Sequence, residues 1–281
     1  MLKLNCNVIR NLPNEEKKEA HTMKKLLCII LASLMLVLSS CGVPNQAKDA
    51  VLCKDAEGNY YVLSADGKTF LYYYPKNESE SFVVPEGVVT VSSDAFKDAA
   101  LLKELSFSHT VRRIEDGLFE LSTLERIVIP ATVEYVKYDF YNCTALKELV
   151  CEAPMLTFNA IGCSSLEYLV LPETVTSFDE FCFEGCSALL SIKTVGQETR
   201  ENPTLEDACA GKILYIPDGI TAVSVDHLLG TGAEGFYIPS SVEELNLCGT
   251  GSWGRPLVIS VASTTTVLTD DDNYHVVIVR D

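Results

Sequence analysis

The feature that most restricts this chain is a row of leucines that returns about every 22 residues. Leu102, Leu124, Leu146, Leu166 and Leu189 follow one another at intervals of 22, 22, 20 and 23 residues. Three positions after each stands a second apolar residue: Leu105, Ile127, Leu149, Leu169 and Ile192. A third ladder runs through Val91, Ile114, Val136, Phe158 and Phe178, and resumes after a weaker stretch at Val223 and Leu245. Phe96, Phe119, Phe140 and Phe183 keep the same rhythm, with Ala160 standing where a further aromatic is due. Pro85, Pro130, Pro172, Pro217 and Pro239 recur at gaps close to one or two of these lengths. Ladders sharing one period make an internal repeat the primary reading.

One such unit cannot fold alone. About six buried apolar side chains contribute about 9–18 kcal/mol, whereas ordering about 22 residues costs about 33 kcal/mol. Units stacked against each other bury one another's faces, so the sequence predicts a solenoid. The segments Leu102-Lys103-Glu104-Leu105-Ser106-Phe107 and Leu124-Glu125-Arg126-Ile127-Val128-Ile129 follow the pattern L-x-x-L-x-L. That pattern predicts one short parallel strand per rung, with a return segment partly extended and partly turn.

These residues carry a resemblance. Ile129-Pro130, Val133, Val136, Phe140, Cys143, Leu146 and Leu149 fit one copy of a repeat similar to that of BspA-type leucine-rich repeat proteins of bacterial surfaces. Val84-Pro85, Val88, Val91, Ala95-Phe96, Leu102 and Leu105 fit another, with Ala99 at the cysteine position. The resemblance covers roughly residues 60–247 and is strongest over 82–194. It implies an α/β repeat solenoid, a leucine-rich-repeat horseshoe of parallel strands, mostly β and turn. It also implies binding of host matrix proteins, other cells or polymers. Leucine-rich repeats are expected over 82–194 and degenerate copies over 195–247. Residues 51–81 alternate apolar and polar around Glu57-Gly58-Asn59 and Ala65-Asp66-Gly67, and are expected as an N-terminal β cap. Residues 248–281, with strand-like runs at 257–262 and 275–279, are expected as a C-terminal β cap.

Lys24 and Lys25 precede an apolar run from Leu26 to Leu38. A membrane-spanning helix needs about 20 apolar residues, so the run suits a signal-peptide core. It ends in Leu38-Ser39-Ser40-Cys41-Gly42, which resembles a bacterial lipobox. That resemblance implies lipidation of Cys41, a signal peptide over 23–40, a tether over 41–50, and a protein anchored outside the cytoplasmic membrane. Residues 1–22 are expected to be an upstream extension, with translation starting at Met23.

The formal net charge is -17, and no basic block follows residue 41. Nucleic acid is therefore excluded as a partner, because phosphate neutralisation needs clustered Lys and Arg. Cys143, Cys163 and Cys186 each lie three residues before a ladder leucine, so the repeat itself accounts for them as buried free thiols, with rung-to-rung disulfides as the alternative. Without a C-x-x-C pair no zinc site is expected. His21, His109, His227 and His275 have no metal-ligand spacing, and Asp270-Asp271-Asp272 reads as a solvated turn, with binding of a hard cation such as calcium as the alternative. No nucleophile elbow or phosphate-binding glycine loop occurs, so neither catalytic residue, metal nor cofactor is expected.

What remains is the outside of the strands. If Leu105, Ile127, Leu149 and Leu169 point inward, alternation turns their neighbours outward. One outward row is Glu104, Arg126, Glu148 and Tyr168; the other is Ser106, Val128, Val150, Val170 and Lys193. An exposed apolar stripe can mark a partner site, while valine also suits an exposed strand for its own sake. Tyr135, Tyr138 and Tyr141 form a second aromatic candidate. The function expected is adhesin-like binding of a protein or cell-surface ligand without catalysis. The alternatives are an envelope scaffold lipoprotein, or an enzyme with its site within 195–281.

Overall fold

The structure is a computed structural model that describes residues 50–75, 79–115, 123–136, 140–154, 159–178, 181–196, 213–224, 228, 230–247, 257–269 and 276–280. Cys41, the signal and tether segments, Phe119, Tyr138, Phe158, His227, Asp270 to Asp272 and His275 lie outside the described residues, as do the side chains of Tyr135 and Val136.

The chain enters through an antiparallel meander of β1 (Val51–Lys54), β2 (Tyr60–Leu63) and β3 (Thr69–Tyr74). From there it winds. A strand on one side, β4 (Ser81–Val84), is followed by a two-residue strand on the other, β5 (Thr90–Val91). The alternation repeats through β6 (Glu104–Phe107), β7 (Arg113–Ile114), β8 (Arg126–Ile129), β9 (Tyr135–Val136) and β10 (Glu148–Cys151). β11 (Tyr168–Leu171) and β12 (Ser191–Thr194) continue the first side. β4, β6, β8, β10, β11 and β12 form a six-stranded parallel wall in that order. β5, β7 and β9 extend the meander's sheet in parallel on the opposite side.

The ladders read from the sequence are columns in space. Leu105, Ile127, Leu149, Leu169 and Ile192 are matched across adjacent strands, and none is more than 3% exposed. Leu102, Leu124, Leu146, Leu166 and Leu189 are each buried to 1% exposure or less, facing one core that runs from Phe70 to Val261. The return leg carries short strands where an α/β description would place a helix. Among the described residues helix is confined to Leu228. A leg opened by proline and closed within about ten residues has no room for an amphipathic helix.

Each turn has a chemical reason. Pro85, Pro130, Pro172 and Pro239 end wall strands, where their missing N–H leaves no donor unpaired. Their carbonyls accept from Val88, Val133, Val175 and Val242 at 3.4, 3.1, 3.1 and 3.0 Å. Hydroxyls tie one turn to the turn before it: Ser108 Oγ donates to the Pro85 carbonyl at 3.0 Å, Thr132 Oγ1 to Val111 at 3.0 Å and Thr265 Oγ1 to Val242 at 2.9 Å. At the opposite corner thiols do the same. Cys163 Sγ donates to the Phe140 carbonyl at 2.8 Å and Cys186 Sγ to that of Ala160 at 3.1 Å.

The second half repeats the plan with β13 (Ile213–Tyr215), β14 (Ala222–Ser224), β15 (Gly235–Ile238), β16 (Glu244–Asn246), β17 (Leu257–Val261), β18 (Thr266–Leu268) and β19 (Val276–Arg280). β13, β15, β17 and β19 make a four-stranded parallel wall, and β14, β16 and β18 a three-stranded return sheet. Within the span 248–281, expected as a C-terminal cap, the described strands β17, β18 and β19 continue the parallel stacking. β17 pairs in parallel with β15, and β19 with β17. The last strand leaves Val277, Ile278 and Val279 at 53%, 36% and 44% exposure.

Where the sequence ladder weakens, the winding changes step. Thr221 N donates to the Thr176 carbonyl at 3.0 Å, across 45 residues, about two repeat lengths. Gly230 (φ +84°) sits so close to the earlier leg that a Cβ there would lie 2.4 Å from Glu184 Cα and 2.7 Å from Gly185 N. The leg around 217–231 thus rests directly on the leg around 172–186.

Candidate protein-docking face

The outside of the six-stranded wall is built by the same alternation that fills the core. With Leu149 pointing in, Glu148 and Val150 point out, and pairing carries that choice to every neighbouring strand. Glu104, Arg126, Glu148 and Tyr168 are direct cross-strand partners in one column. Val83, Ser106, Val128, Val150, Val170 and Lys193 make the next. Val128, Val150 and Val170 are half-buried, while Val83 and Tyr168 stand out at 61% and 49% exposure. All seven residues singled out from the sequence, Glu104, Arg126, Val128, Glu148, Val150, Tyr168 and Val170, thus share one outer surface. Tyr141 is exposed elsewhere, at 45%.

A third column escaped the sequence reading. Glu80, Lys103, Glu125, Lys147 and Glu167 lie just ahead of successive wall strands, joined by backbone bonds from each to the one before. Their charges alternate. Lys103 Nζ meets Glu80 Oε1 at 2.6 Å and Lys147 Nζ meets Glu125 Oε2 at 2.7 Å. The hydrogen bond to Glu80 raises the Lys103 ammonium above its ordinary range, and the bond from Lys147 holds the Glu125 carboxyl below the usual carboxylate range. In the neighbouring column Arg126 Nε meets Glu148 Oε2 at 2.8 Å. The readable signal was opposite charge at the repeat spacing, since like charges directly opposite on parallel strands repel.

Cys53, Cys143, Cys151, Cys163, Cys182 and Cys186 are free thiols, and all but Cys53 are buried. Burial pushes the Cys151 thiol up to about 12. Among the described residues no group of three or more His, Cys, Asp or Glu side chains is placed to hold a metal ion. His109, exposed, reaches Glu86 at 2.9 Å.

The family profile described as BspA type leucine rich repeat region matches residues 69–189 and 157–247, in six copies. The chain belongs to the BspA-type leucine-rich repeat family. The solved leucine-rich repeat protein of Eubacterium ventriosum resembles this BspA-type chain at 18% identity and a TM-score of 0.51, over 79% of this chain and 52% of that one. This chain therefore spans about half the length of that relative. A leucine-rich repeat protein of Bacteroides ovatus matches at 19% identity and a TM-score of 0.39, covering 82% and 69% of the two chains. A leucine rich cell surface protein of Faecalibacterium prausnitzii matches at 12% identity and a TM-score of 0.32, covering 82% and 97%. No curated protein matches the chain. The family and the Eubacterium neighbour agree with the stacked parallel strands of this BspA-type fold.

Proposed function

We propose that this chain is a lipid-anchored surface protein that binds other proteins through the outside of the β4–β12 wall and catalyses no reaction. One observation carries the reading: Val128, Val150 and Val170 form a half-exposed apolar column, in register, on a sheet whose other side is solid core. A rigid surface with fixed apolar contacts loses little conformational entropy on binding. Glu104, Arg126, Glu148 and Tyr168 border that column and set polar specificity around it. Membership in the BspA-type family supports surface display and a protein partner, and host matrix proteins are the first candidates. Cys41 is the lipid attachment point, by its place after the apolar run.

The test is capture of matrix proteins by the full-length chain in detergent. Substituting Val128→Ser with Val150→Ser should weaken capture by about tenfold, because two apolar contacts are lost. Unchanged capture by a folded double variant overturns the assignment of the face. For the anchor, labelled palmitate should be incorporated by the wild-type chain and not by Cys41→Ala. Label retained in the variant removes Cys41 from that role.

A further inference from the structure

We propose that the segment docking on this wall is cationic as well as partly apolar. The proposal rests on the docking face described above and names the chemistry of its partner.

Some of the charges on the wall are already matched and others are not. Lys103, Arg126 and Lys147 are each held by a carboxylate of a neighbouring strand, on Glu80, Glu148 and Glu125. Glu104, Glu152 and Glu167 are not. Among the described residues no basic group is in ion-pair contact with any of them. Glu152 follows Val150 by two residues, its N–H bonded to the Ile129 carbonyl, so it continues the outward alternation of β10 on the far side of the valine column. Glu104 lies on the near side, level with Arg126. Glu167 closes the alternating column next to Tyr168. Lys103, Arg126 and Lys147 are thus neutralised within the wall and Lys193 stands at the end of the valine column, whereas Glu104, Glu152 and Glu167 around Val128, Val150 and Val170 are left open. A complementary surface supplies Lys or Arg with small apolar groups between them. Anionic lipid and nucleic acid carry the wrong sign.

Spacing narrows the shape. β6 and β10 are two strands apart, about 9.5 Å, and an extended segment crossing them advances about 3.3 Å per residue. Glu152 also lies four residues further along the strand direction than Glu104, about 13 Å, so the two stand about 16 Å apart. Basic residues six positions apart lie on one face of an extended segment, about 20 Å from each other, and their flexible side chains reach both carboxylates with apolar residues between them over the valines.

The probe is a labelled peptide of Lys-Val-Ser repeats, read by fluorescence anisotropy against the full-length chain in neutral detergent at low and high salt. Peptides of Glu-Val-Ser and Lys-Gly-Ser repeats, equal in length, are the comparisons. Lys-Val-Ser should bind, Lys-Gly-Ser more weakly, and Glu-Val-Ser not at all. The combined substitution Glu104→Gln, Glu152→Gln and Glu167→Gln should lower affinity about tenfold and remove most of the salt dependence. Removing the same charge from the return legs, by Glu134→Gln, Glu243→Gln and Glu244→Gln, should change little. Equal loss in the two triple variants means attraction to net charge alone and overturns the proposal, as does binding of Glu-Val-Ser. If the wall variant keeps full affinity while Val128→Ser with Val150→Ser loses it, the docking face stands and the cationic partner falls. If neither set matters, both readings fall.

Discussion

Substituting Gly230→Ala tests the most unexpected feature of the winding, and Gly87→Ala supplies its internal reference. Both glycines have positive φ, +84° and +91°. An alanine in that region costs about 1–2 kcal/mol, of which about 0.4–1 kcal/mol is offset by the stiffer unfolded chain. Around Gly87 nothing lies within 4 Å of the added Cβ, so its whole effect is that difference, about 1 kcal/mol. At Gly230 the same methyl would fall 2.4 Å from Glu184 Cα, 2.7 Å from Gly185 N and 3.0 Å from Glu184 C. All three are backbone atoms that cannot swing aside, so two legs must part by about 1 Å, at a further cost of about 1–3 kcal/mol. Equilibrium urea unfolding should therefore rank Gly230→Ala below Gly87→Ala by at least about 1 kcal/mol. A difference under about 0.5 kcal/mol, the margin of ordinary surface substitutions, would refute direct contact between the legs around 172–186 and 217–231.

Three further expectations follow from the same geometry. Leu149→Ala removes a fully buried side chain aligned with Ile127 and Leu169, and should cost about 2–5 kcal/mol in urea unfolding. Its outward neighbour Val150→Ser should cost less than about 1 kcal/mol, and equal losses would contradict the alternation. Burial raises the Cys151 thiol from 9.0 to about 12, so the folded state holds that proton after the unfolded chain has released it. The resulting stability is complete below pH 9 and is lost as pH rises toward 12, on the order of 4 kcal/mol in all. Cys151→Ala should flatten the alkaline decline of the unfolding midpoint, and an unchanged slope would place the buried titration elsewhere. Arg126→Ala should shift stability by no more than about 1 kcal/mol, because both partners of the Arg126–Glu148 pair are partly exposed. A larger loss in thermal melting would show that the pair holds strands together.

The core was legible because only one arrangement buries it. Leu102, Leu105 and their successors recur with the repeat, and a parallel stack is the arrangement that puts residues of one phase side by side. The outward set followed from the inward set, which is why Val128, Val150 and Val170 fell into their column. Direction at the far end was not legible. Leu257–Val261 and Val276–Arg280 look extended from composition, but alternation says nothing about whether neighbours run parallel or close a hairpin. Nor could the change of step near Gly230 be seen. It depends on a backbone contact at a glycine, and a missing side chain adds no member to any ladder. The return leg also hid its secondary structure: β5 and β7 have two residues each, one of them buried, too short a run to display a period.

The columns of charge separate what folding requires from what it leaves free. In a parallel in-register stack each side chain stands about 4.8 Å from its counterparts in adjacent strands, so a column of like charges would repel along its whole length. Alternation such as Glu80, Lys103, Glu125, Lys147 relieves that repulsion and is explained by the stack alone. Charges left unmatched have no such explanation. Glu104 sits beside Arg126, yet the guanidinium turns to Glu148; Glu167 sits beside Lys147, yet that ammonium turns to Glu125; and among the described residues no cation is in ion-pair contact with Glu152. Glu104 is exposed, and Glu152 and Glu167 are half-buried but keep access to solvent, so nothing in the fold is harmed by leaving them open. Three of them around a shared apolar column nevertheless give one side of the solenoid a polarity that packing did not demand. Neutralising all three should leave the unfolding midpoint almost where it was, and a marked change in stability would assign them to the fold rather than to a partner.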